Sequence, residues 1–282
     1  MLRFIEGLSG AVLKTLGAQS LVLTTDAGNV HAYDASGPGE QTFVLLHGMG
    51  TAATTYAGLF RGIRERAKRV VMIDLPGHGK SELAAERLGA LELGAGIRGA
   101  LDQVLGEAEP GVLMGTSLGG AVALRYALER PEHLRALMLI SPGGAPLSDD
   151  DFAVLKKRFD LQTRDDARRF FAELMHKPPI YTRLFERGLI DQLSRPLVQG
   201  FLSGLGPDDF FTEAELGSLR VPTLLIWGKS DRILPRSSLD FYRRALPPSV
   251  VIEEPDDVGH SPHVEKPRWL VERLLAFASG AG

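Results

Sequence analysis

Residues 112–123 of the chain read Val-Leu-Met-Gly-Thr-Ser-Leu-Gly-Gly-Ala-Val-Ala. An apolar run precedes a serine with glycine two positions before and two after it, and an alanine-rich stretch follows. This Gly-x-Ser-x-Gly pattern, between a strand and a helix, is typical of a sharp turn that exposes a nucleophilic serine. Gly115 and Gly119 have no side chains to keep the strand and the helix apart. The five residues alone also fit a glycine-rich turn without chemistry, so the case for Ser117 depends on the rest of the chain.

Short apolar runs alternate with helical patterns on both sides of this stretch. The alternation extends over residues 43–140 and returns after residue 222. Continuous apolar strands separated by helices are typical of a parallel sheet that is covered on both faces. We therefore predict an α/β fold with a mostly parallel, doubly wound sheet. No period of 20 to 50 residues recurs, which excludes a repeat protein.

The alternation is interrupted once, over residues 147–217. This stretch has helical patterning throughout and contains eight of the chain's 13 phenylalanines. We predict a helical cap at 147–217, inserted into one core that is formed by residues 1–146 and 218–282. A phenylalanine-rich cap suggests an apolar binding site, and we expect Phe170 and Phe171 to contact the substrate.

A serine nucleophile needs a base to accept its proton and a carboxylate to orient that base. In this type of fold the partners follow in the order serine, acid, histidine, each after a strand. Asp231 follows the predicted strand at 222–227, and His260 follows the one at 250–252. We predict that Ser117, Asp231 and His260 form a catalytic triad. The rival base, His263, falls inside the helix that Pro262 is expected to begin.

The same chemistry needs two backbone N–H groups that stabilise a tetrahedral oxyanion. One belongs to the residue after the nucleophile, Leu118. We assign the other to Met49, in the loop His47-Gly48-Met49-Gly50 after the strand at 42–46. Gly48 allows this loop to approach the substrate closely, so we expect Gly48 to contact the substrate.

Three other polar residues are interpreted as structural rather than catalytic. His31 alternates with apolar residues and is read as a strand side chain, after a hairpin whose four-residue turn is predicted at 26–29. His78 belongs to a tight turn, and Asp74 is expected to form hydrogen bonds near the site rather than to act as a base.

Composition excludes several classes of partner. The net charge of −3 gives no reason to expect nucleic acid. The chain has no cysteine and no closely spaced cluster of histidines and carboxylates, so we expect no metal site. No signal-peptide pattern is present, which predicts a cytoplasmic protein. A helix is predicted over residues 2–16, but its polar face is poor in Lys and Arg, so contact with a membrane surface is not expected. The oligomeric state is left open.

Five ordered motifs resemble those of the α/β-hydrolase superfamily and span most of the chain outside 147–217. They are His47-Gly48-Met49-Gly50, Asp74-Leu75-Pro76-Gly77-His78-Gly79-Lys80-Ser81, Gly115-Thr116-Ser117-Leu118-Gly119-Gly120, Gly228-Lys229-Ser230-Asp231 and Gly259-His260-Ser261-Pro262-His263-Val264-Glu265. The segment 174–179 resembles the cap of monoacylglycerol-lipase-type and related bacterial esterases. That resemblance implies ester hydrolysis without a cofactor. Serine at position 117 argues against haloalkane dehalogenases and epoxide hydrolases, which have aspartate there.

The sequence therefore predicts a serine hydrolase that cleaves small-molecule carboxylic esters with a lipophilic acyl or alkyl group. Two alternatives stay open. One is a carbon–carbon bond hydrolase that acts on diketone-like ring-cleavage products with the same triad. The other is a ligand-binding protein without catalysis on the same scaffold.

Overall fold

The computed structural model describes residues 2–83, 89–106 and 108–280. Its sheet has eight strands: β1 (Gln19–Thr25), β2 (Gly28–Ser36), β3 (Thr42–Leu46), β4 (Arg69–Ile73), β5 (Gly111–Thr116), β6 (Leu134–Ile140), β7 (Thr223–Ile226) and β8 (Val251–Glu253). Their spatial order is β1-β2-β4-β3-β5-β6-β7-β8. β2 pairs antiparallel with β1 and β4, and all the other pairs are parallel. The predicted fold class is confirmed.

The described chain has helices on both faces of the sheet and in the segment between β6 and β7. They are α1 (Leu2–Thr15), α2 (Ala57–Arg64), α3 (Ala90–Asp102), α4 (Leu118–Glu129), α5 (Asp149–Phe159), α6 (Arg164–Leu174), α7 (Glu186–Leu193), α8 (Pro196–Gly204), α9 (Glu213–Gly217), α10 (Arg236–Ala245), α11 (Pro262–Glu265) and α12 (Pro267–Ala278). One apolar cluster packs α3, α4 and α10 on one face, and a second packs α2 and α12 on the other. Strands with apolar layers on both faces explain why the sequence shows continuous apolar runs.

The hairpin between β1 and β2 is tighter than predicted. Thr25 pairs directly with Gly28, so the turn contains two residues, Asp26 and Ala27, instead of the four predicted at 26–29. The Thr25 hydroxyl donates a hydrogen bond to the Gly28 carbonyl at 2.8 Å and accepts one from the Ala27 N–H at 3.2 Å. The prediction was wrong because Gly28 and Asn29, although turn-forming residues, are already in strand β2.

The chain between β6 and β7 contains helices and no strand. α5 to α9 lie in this segment, whose apolar side chains form a third cluster of their own. β6 and β7 are direct neighbours in the sheet. The segment therefore leaves the sheet and returns to it at the same place, an arrangement that suits the predicted cap at 147–217.

The turn between β5 and α4 is closely packed. A Cβ atom at Gly115 would lie 2.2 Å from the carbonyl oxygen of Gly119, and one at Gly119 would lie 2.3 Å from the carbonyl oxygen of Leu46. Real Cβ atoms do not approach backbone this closely, so the start of α4 lies directly on β5 and β3. The residue between the two glycines, Ser117, is held at the end of the strand.

Two histidines are buried near the carboxyl ends of the strands. The imidazoles of His78 and His263 are 1% and 7% exposed, and each has one ring nitrogen without a hydrogen-bond partner. Burial lowers the pKa of each to about 3, because a protonated ring would lose its hydration. Both side chains therefore remain neutral in the folded chain at moderately acidic pH.

Substitution Gly115→Ala should destabilise the fold by at least about 2 kcal/mol, since the added methyl group meets backbone that cannot move aside. Gly94→Ala is the matched control. A Cβ there meets nothing within 4 Å, and alanine in helix α3 should stabilise by about 0.5–1 kcal/mol. Urea unfolding of both variants measures the two changes. Equal stability of the two variants would contradict the close contact.

Acid should destabilise the folded chain partly through His78. The folded pKa lies below the unfolded value, so between about pH 6.5 and 3 the unfolded chain binds more protons and stability falls as pH falls. For His78→Phe the loss of unfolding free energy between about pH 7.5 and 4.5 should be smaller than in the parent chain, by roughly 2 kcal/mol. Denaturant titrations at the two pH values measure this difference, and an unchanged loss would exclude a neutral buried His78.

Candidate active site

Ser117 has a strained backbone conformation. Its φ of 54° and ψ of −117° lie in a region that non-glycine residues rarely adopt, at a cost of about 1–3 kcal/mol. The Ser117 N–H donates a hydrogen bond to the Ile140 carbonyl at 2.9 Å, and the Ser117 carbonyl accepts one from the Gly143 N–H at 3.0 Å. The end of β6 and the loop after it therefore hold the serine in this geometry.

Asp231 and His260 form a buried pair. The loop after β7 provides Asp231 and the loop after β8 provides His260, and Nδ1 of the imidazole lies 2.7 Å from Oδ2 of the carboxylate. Their side chains are 0% and 5% exposed. The other carboxylate oxygen accepts a hydrogen bond from the Ile233 N–H at 2.9 Å. An ionised carboxylate only accepts hydrogen bonds, so Nδ1 carries the proton and Nε2 is left as the proton acceptor.

One cavity of about 430 Å³ joins these groups, and we call it the His260 cavity. Ser117 and His260 both line it. Within the described residues, no hydrogen bond joins the Ser117 hydroxyl to the imidazole. Catalytic hydrogen bonds in ligand-free proteins are often long and shorten only when substrate binds. The predicted base and the predicted nucleophile thus open onto the same space.

The loop after β3 passes close to the serine. A Cβ atom at Gly48 would lie 3.3 Å from the Ser117 Cβ atom, so a glycine here lets the loop approach. The next residue, Met49, lines the cavity. Leu118 begins α4, and the N–H of a first helical residue has no acceptor within its own helix. These positions suit the two predicted oxyanion donors, Met49 and Leu118.

His47 fixes the conformation of this loop. The Leu75 N–H donates a hydrogen bond to His47 Nε2 at 3.0 Å, so Nε2 is unprotonated. Nδ1 therefore carries the proton and donates a hydrogen bond to the Gly48 carbonyl at 2.8 Å. Burial lowers the pKa of His47 and outweighs the opposing effect of Asp74, so the neutral ring is favoured. The sequence motif included His47, but its spacing gave no indication of this positioning role.

A second cavity also reaches Ser117. It runs along α4, has a volume of about 170 Å³, and we call it the α4 cavity. Its lining is largely apolar, with Arg98 and Arg125 among the lining residues. Arg98 lies 3.1 Å from Glu129, and Arg125 lies 2.5 Å from Glu215. Met49 and Ser117 line both cavities, so the serine lies where they meet.

The predicted substrate contacts lie at one of these cavities. Gly48, Phe170 and Phe171 all line the His260 cavity. Aromatic residues of the α4 cavity were not singled out from the sequence, and two of them are Phe201 and Phe211. Their surroundings in the sequence resemble those of any buried residue, so the sequence offers no signal that separates a cavity wall from a core.

The helical segment is hydrogen-bonded to the two loops that carry Asp231 and His260. The His260 N–H donates to the Leu174 carbonyl at 2.8 Å, and the Arg232 N–H donates to the Glu173 carbonyl at 3.1 Å. The Glu265 carboxylate accepts from the Gly259 N–H at 2.9 Å and from the His176 N–H at 2.7 Å. The end of α6 therefore helps to position His260. The sequence motif contained Glu265 but did not indicate this role.

A second row of serine, histidine and aspartate lies away from both cavities. His31 is 2.8 Å from the Ser20 hydroxyl through Nε2 and 2.8 Å from Asp74 through Nδ1. The sequence predicted an ordinary strand side chain at His31, but both of its ring nitrogens are hydrogen-bonded. Asp74 also accepts from the Ala53 and Lys80 N–H groups, and its pKa is lowered because these hydrogen bonds and the His31 contact outweigh the effect of burial. Ser20 lies within strand β1, outside the residues that line the cavities, so we assign this row a structural role.

The described residues contain neither a cluster of metal ligands nor a helix that could span a membrane. Residues 2–83, 89–106 and 108–280 contain no group of three potential metal ligands. Within the same ranges, every helix falls short of the length and apolar character that crossing a membrane requires.

Comparisons with known proteins agree with this architecture. The model of the alpha/beta hydrolase family matches residues 43–273. A 2-hydroxy-6-oxononadienedioate/2-hydroxy-6-oxononatrienedioate hydrolase from Klebsiella pneumoniae subsp. pneumoniae is 30% identical over 240 residues, covering 79% of this chain and 83% of that protein. The structure of carboxylesterase CesB from Bacillus subtilis matches with a TM-score of 0.80 at 21% identity, covering 99% of this chain and 98% of that one.

A third match is the structure of a membrane phospholipase A that is described as a bacterial virulence factor. It has a TM-score of 0.78 and 25% identity, and the match covers 99% of each chain. The family model spans well over half of this sequence, and its ends fall within β3 and α12. The chain therefore belongs to the alpha/beta hydrolase family.

Proposed function

We propose that this chain is a serine hydrolase that cleaves a small lipophilic molecule at a carbonyl carbon. One observation carries the proposal: a strained serine and a histidine that is paired with a buried aspartate line the same apolar cavity. Backbone strain and a buried carboxylate both cost stability, and such features cluster at sites where chemistry needs them.

The reaction proceeds through a covalent acyl-enzyme. His260 accepts the Ser117 proton as the hydroxyl attacks the carbonyl carbon, and Asp231 stabilises the imidazolium that forms. The N–H groups of Met49 and Leu118 donate hydrogen bonds to the oxyanion. His260 then gives its proton to the leaving group, and water releases the acyl group by the same two steps.

The two cavities hold different parts of the substrate. The leaving group has to reach the proton on His260, which lines the His260 cavity and is absent from the lining of the α4 cavity. The leaving group therefore occupies the His260 cavity, and the acyl group extends into the α4 cavity. Both walls are largely apolar, so they bind by burial of apolar surface.

The curated relatives favour the carbon–carbon bond reaction over the ester reaction. The name of the Klebsiella protein describes a substrate with a ketone, an enol hydroxyl and two carboxylates. Such a molecule has no ester or amide, so its hydrolysis breaks a carbon–carbon bond beside the ketone. Water provides the hydroxyl group for the acyl carbon and the proton for the departing carbon. Hydrolysis of a ring-cleavage diketone is therefore our first candidate reaction.

Ester hydrolysis is the second candidate, and the charge of the cavities favours it. The described lining of the His260 cavity contains no Lys or Arg. A carboxylate buried there would have no cation, whereas a neutral ester has no such requirement. The phospholipase relative, at 25% identity, is also named for the cleavage of an ester-containing lipid.

Ser117→Ala should abolish covalent labelling by a fluorophosphonate probe and lower turnover by at least about 10⁴-fold, because the nucleophile is removed. Ser20→Ala is the matched control, since Ser20 also contacts a histidine that is paired with an aspartate. It should label and turn over like the parent chain. Mass spectrometry of the labelled protein checks the site. Label on Ser20, or full activity of Ser117→Ala, would refute the proposed nucleophile.

Charge should set the order of preference among diketone substrates. A 2-hydroxy-6-oxo-dienoate with a phenyl group on the ketone should have at least about tenfold higher kcat/KM than the corresponding dienedioate. Both compounds keep one carboxylate on the departing fragment, and they differ at the acyl end, which occupies the α4 cavity in the proposed orientation. That cavity is largely apolar and its Arg98 and Arg125 are already paired with Glu129 and Glu215, so the second carboxylate of the dienedioate would be buried there without a free cation. Spectrophotometric assays of the two compounds, beside neutral p-nitrophenyl esters of graded acyl length, measure this. Turnover of the esters alone would select the second candidate reaction, and a preference for the dienedioate would contradict the charge argument.

A further inference from the structure

The turn before α7 exposes large apolar side chains. Ile180 is 74% exposed and Leu184 is 65% exposed, the two highest values among large hydrophobic residues of the described chain. Tyr181, in the same turn, is 50% exposed. Uncovered aliphatic side chains that are adjacent in the fold mark contact surfaces more often than isolated ones do.

This turn lies at the opening of the His260 cavity. Tyr181, Thr182 and Phe185 line the cavity, and Tyr181 is at the same time half exposed to solvent. Val264 also lines the cavity and is 37% exposed. Ile180 and Leu184 do not line it, so their side chains are directed outward beside its mouth.

Exposed apolar residues are concentrated on this side of the described chain. Nine large hydrophobic residues are exposed, and six of them belong to elements that contribute to the lining of the His260 cavity: Leu8, Val12, Ile180, Tyr181, Leu184 and Val264. The other three are Val22, Val154 and Val251. Elements that reach the His260 cavity therefore carry most of the exposed large apolar side chains of the described chain.

Residues 177–187, which we call the rim segment, combine exposed apolar side chains with positive charge. Lys177, Arg183 and Arg187 are exposed. The one carboxylate in the segment, Glu186, is 2% exposed and accepts a hydrogen bond from Arg168 at 2.7 Å. The rim segment therefore presents three cations and no exposed anion, although the whole chain has a net charge of −3. This charge is complementary to an anionic surface.

We propose that the rim segment docks the cavity mouth on an anionic lipid surface. Ile180 and Leu184 enter the apolar layer, while Arg183 and Arg187 contact the charged headgroups. The surface of a single five-residue turn is small compared with the roughly 800 Å² per partner that a stable protein interface buries. Insertion into lipid needs only a few side chains. The sequence led us to expect no membrane contact from the N-terminal helix because it is poor in basic residues. The basic residues are instead on the rim segment.

Docking in this orientation has a consequence for the site. The opening of the His260 cavity would face the lipid, so an apolar molecule could enter without crossing water. The proposal concerns binding and does not rest on the proposed reaction, because vesicle binding is measured without turnover.

Vesicle sedimentation of the full chain tests the proposal, with phosphatidylcholine vesicles that contain phosphatidylglycerol and with pure phosphatidylcholine vesicles. The chain should bind the anionic vesicles more tightly. Ile180→Ser/Leu184→Ser should weaken binding by at least about tenfold. Arg183→Gln/Arg187→Gln should weaken it by about fivefold for each charge removed, and only on anionic vesicles. Val22→Ser, a similarly exposed aliphatic on β1, is the matched control and should bind like the parent chain.

Thermal unfolding of each variant shows whether it is folded, and fluorophosphonate labelling of Ser117 shows whether its site is intact. Both readouts should be unchanged. Equal binding of the parent chain to both kinds of vesicle, no binding to either, or unchanged binding of Ile180→Ser/Leu184→Ser would overturn the proposal. Light scattering shows whether the chain forms a dimer, in which a second copy of the chain instead of lipid would cover the rim segment. A dimer that Ile180→Ser/Leu184→Ser dissociates would also overturn the lipid assignment.

Discussion

The close contact between the start of α4 and the sheet is the constraint on which the rest of the site depends. Gly115 and Gly119 let the helix lie on the backbone of β5 and β3, and no side chain fits between them. Ser117 adopts a positive φ at this turn and lines both cavities. The same contact places the Leu118 N–H at the helix end, where it has no acceptor of its own. One packing constraint thus positions both the candidate nucleophile and a candidate oxyanion donor.

The other parts of the site are held from two directions. The sheet fixes the loops that carry Asp231 and His260, because both follow parallel strands that end at the same edge. The helical segment adds a second hold, since the Leu174 carbonyl accepts the His260 N–H. The end of the sheet and the end of α6 thus together hold the imidazole.

Sequence patterns predicted the parts of this site that local spacing determines. Gly115, Ser117 and Gly119 are specified by a five-residue turn, and Asp231 and His260 by their position after strands. The network of His31 was beyond reach, because its partners lie 11 and 43 positions away and only the fold brings them together. The members of the candidate triad are also far apart in sequence, but they follow a known chain order after strands, and no such motif links Ser20, His31 and Asp74.

The two-residue hairpin at 26–27 was missed because the local sequence is ambiguous. Gly and Asn occur both in turns and at strand ends, and only the pairing of β1 with β2 places Gly28 and Asn29 in the strand. The lining of the α4 cavity shows the same limit at a larger scale. Phe201 has the spacing of a core residue, and only the packing of α8 against the neighbouring helices leaves space beside it.

The candidate triad does not decide which bond is cleaved. In the proposed mechanism the Ser117 hydroxyl, activated by His260 and Asp231, attacks a ketone carbonyl or an ester carbonyl in the same way, and an acyl-enzyme forms in both cases. The difference lies in what departs and in how much charge the substrate carries. The described lining of the His260 cavity has no Lys or Arg, and in the α4 cavity Arg98 and Arg125 are each paired with a glutamate. In the proposed orientation an ester of a lipophilic alcohol would release a neutral fragment into the His260 cavity, whereas a ring-cleavage diketone would release a fragment that keeps its carboxylate. The charge of the departing fragment therefore distinguishes the two candidate reactions.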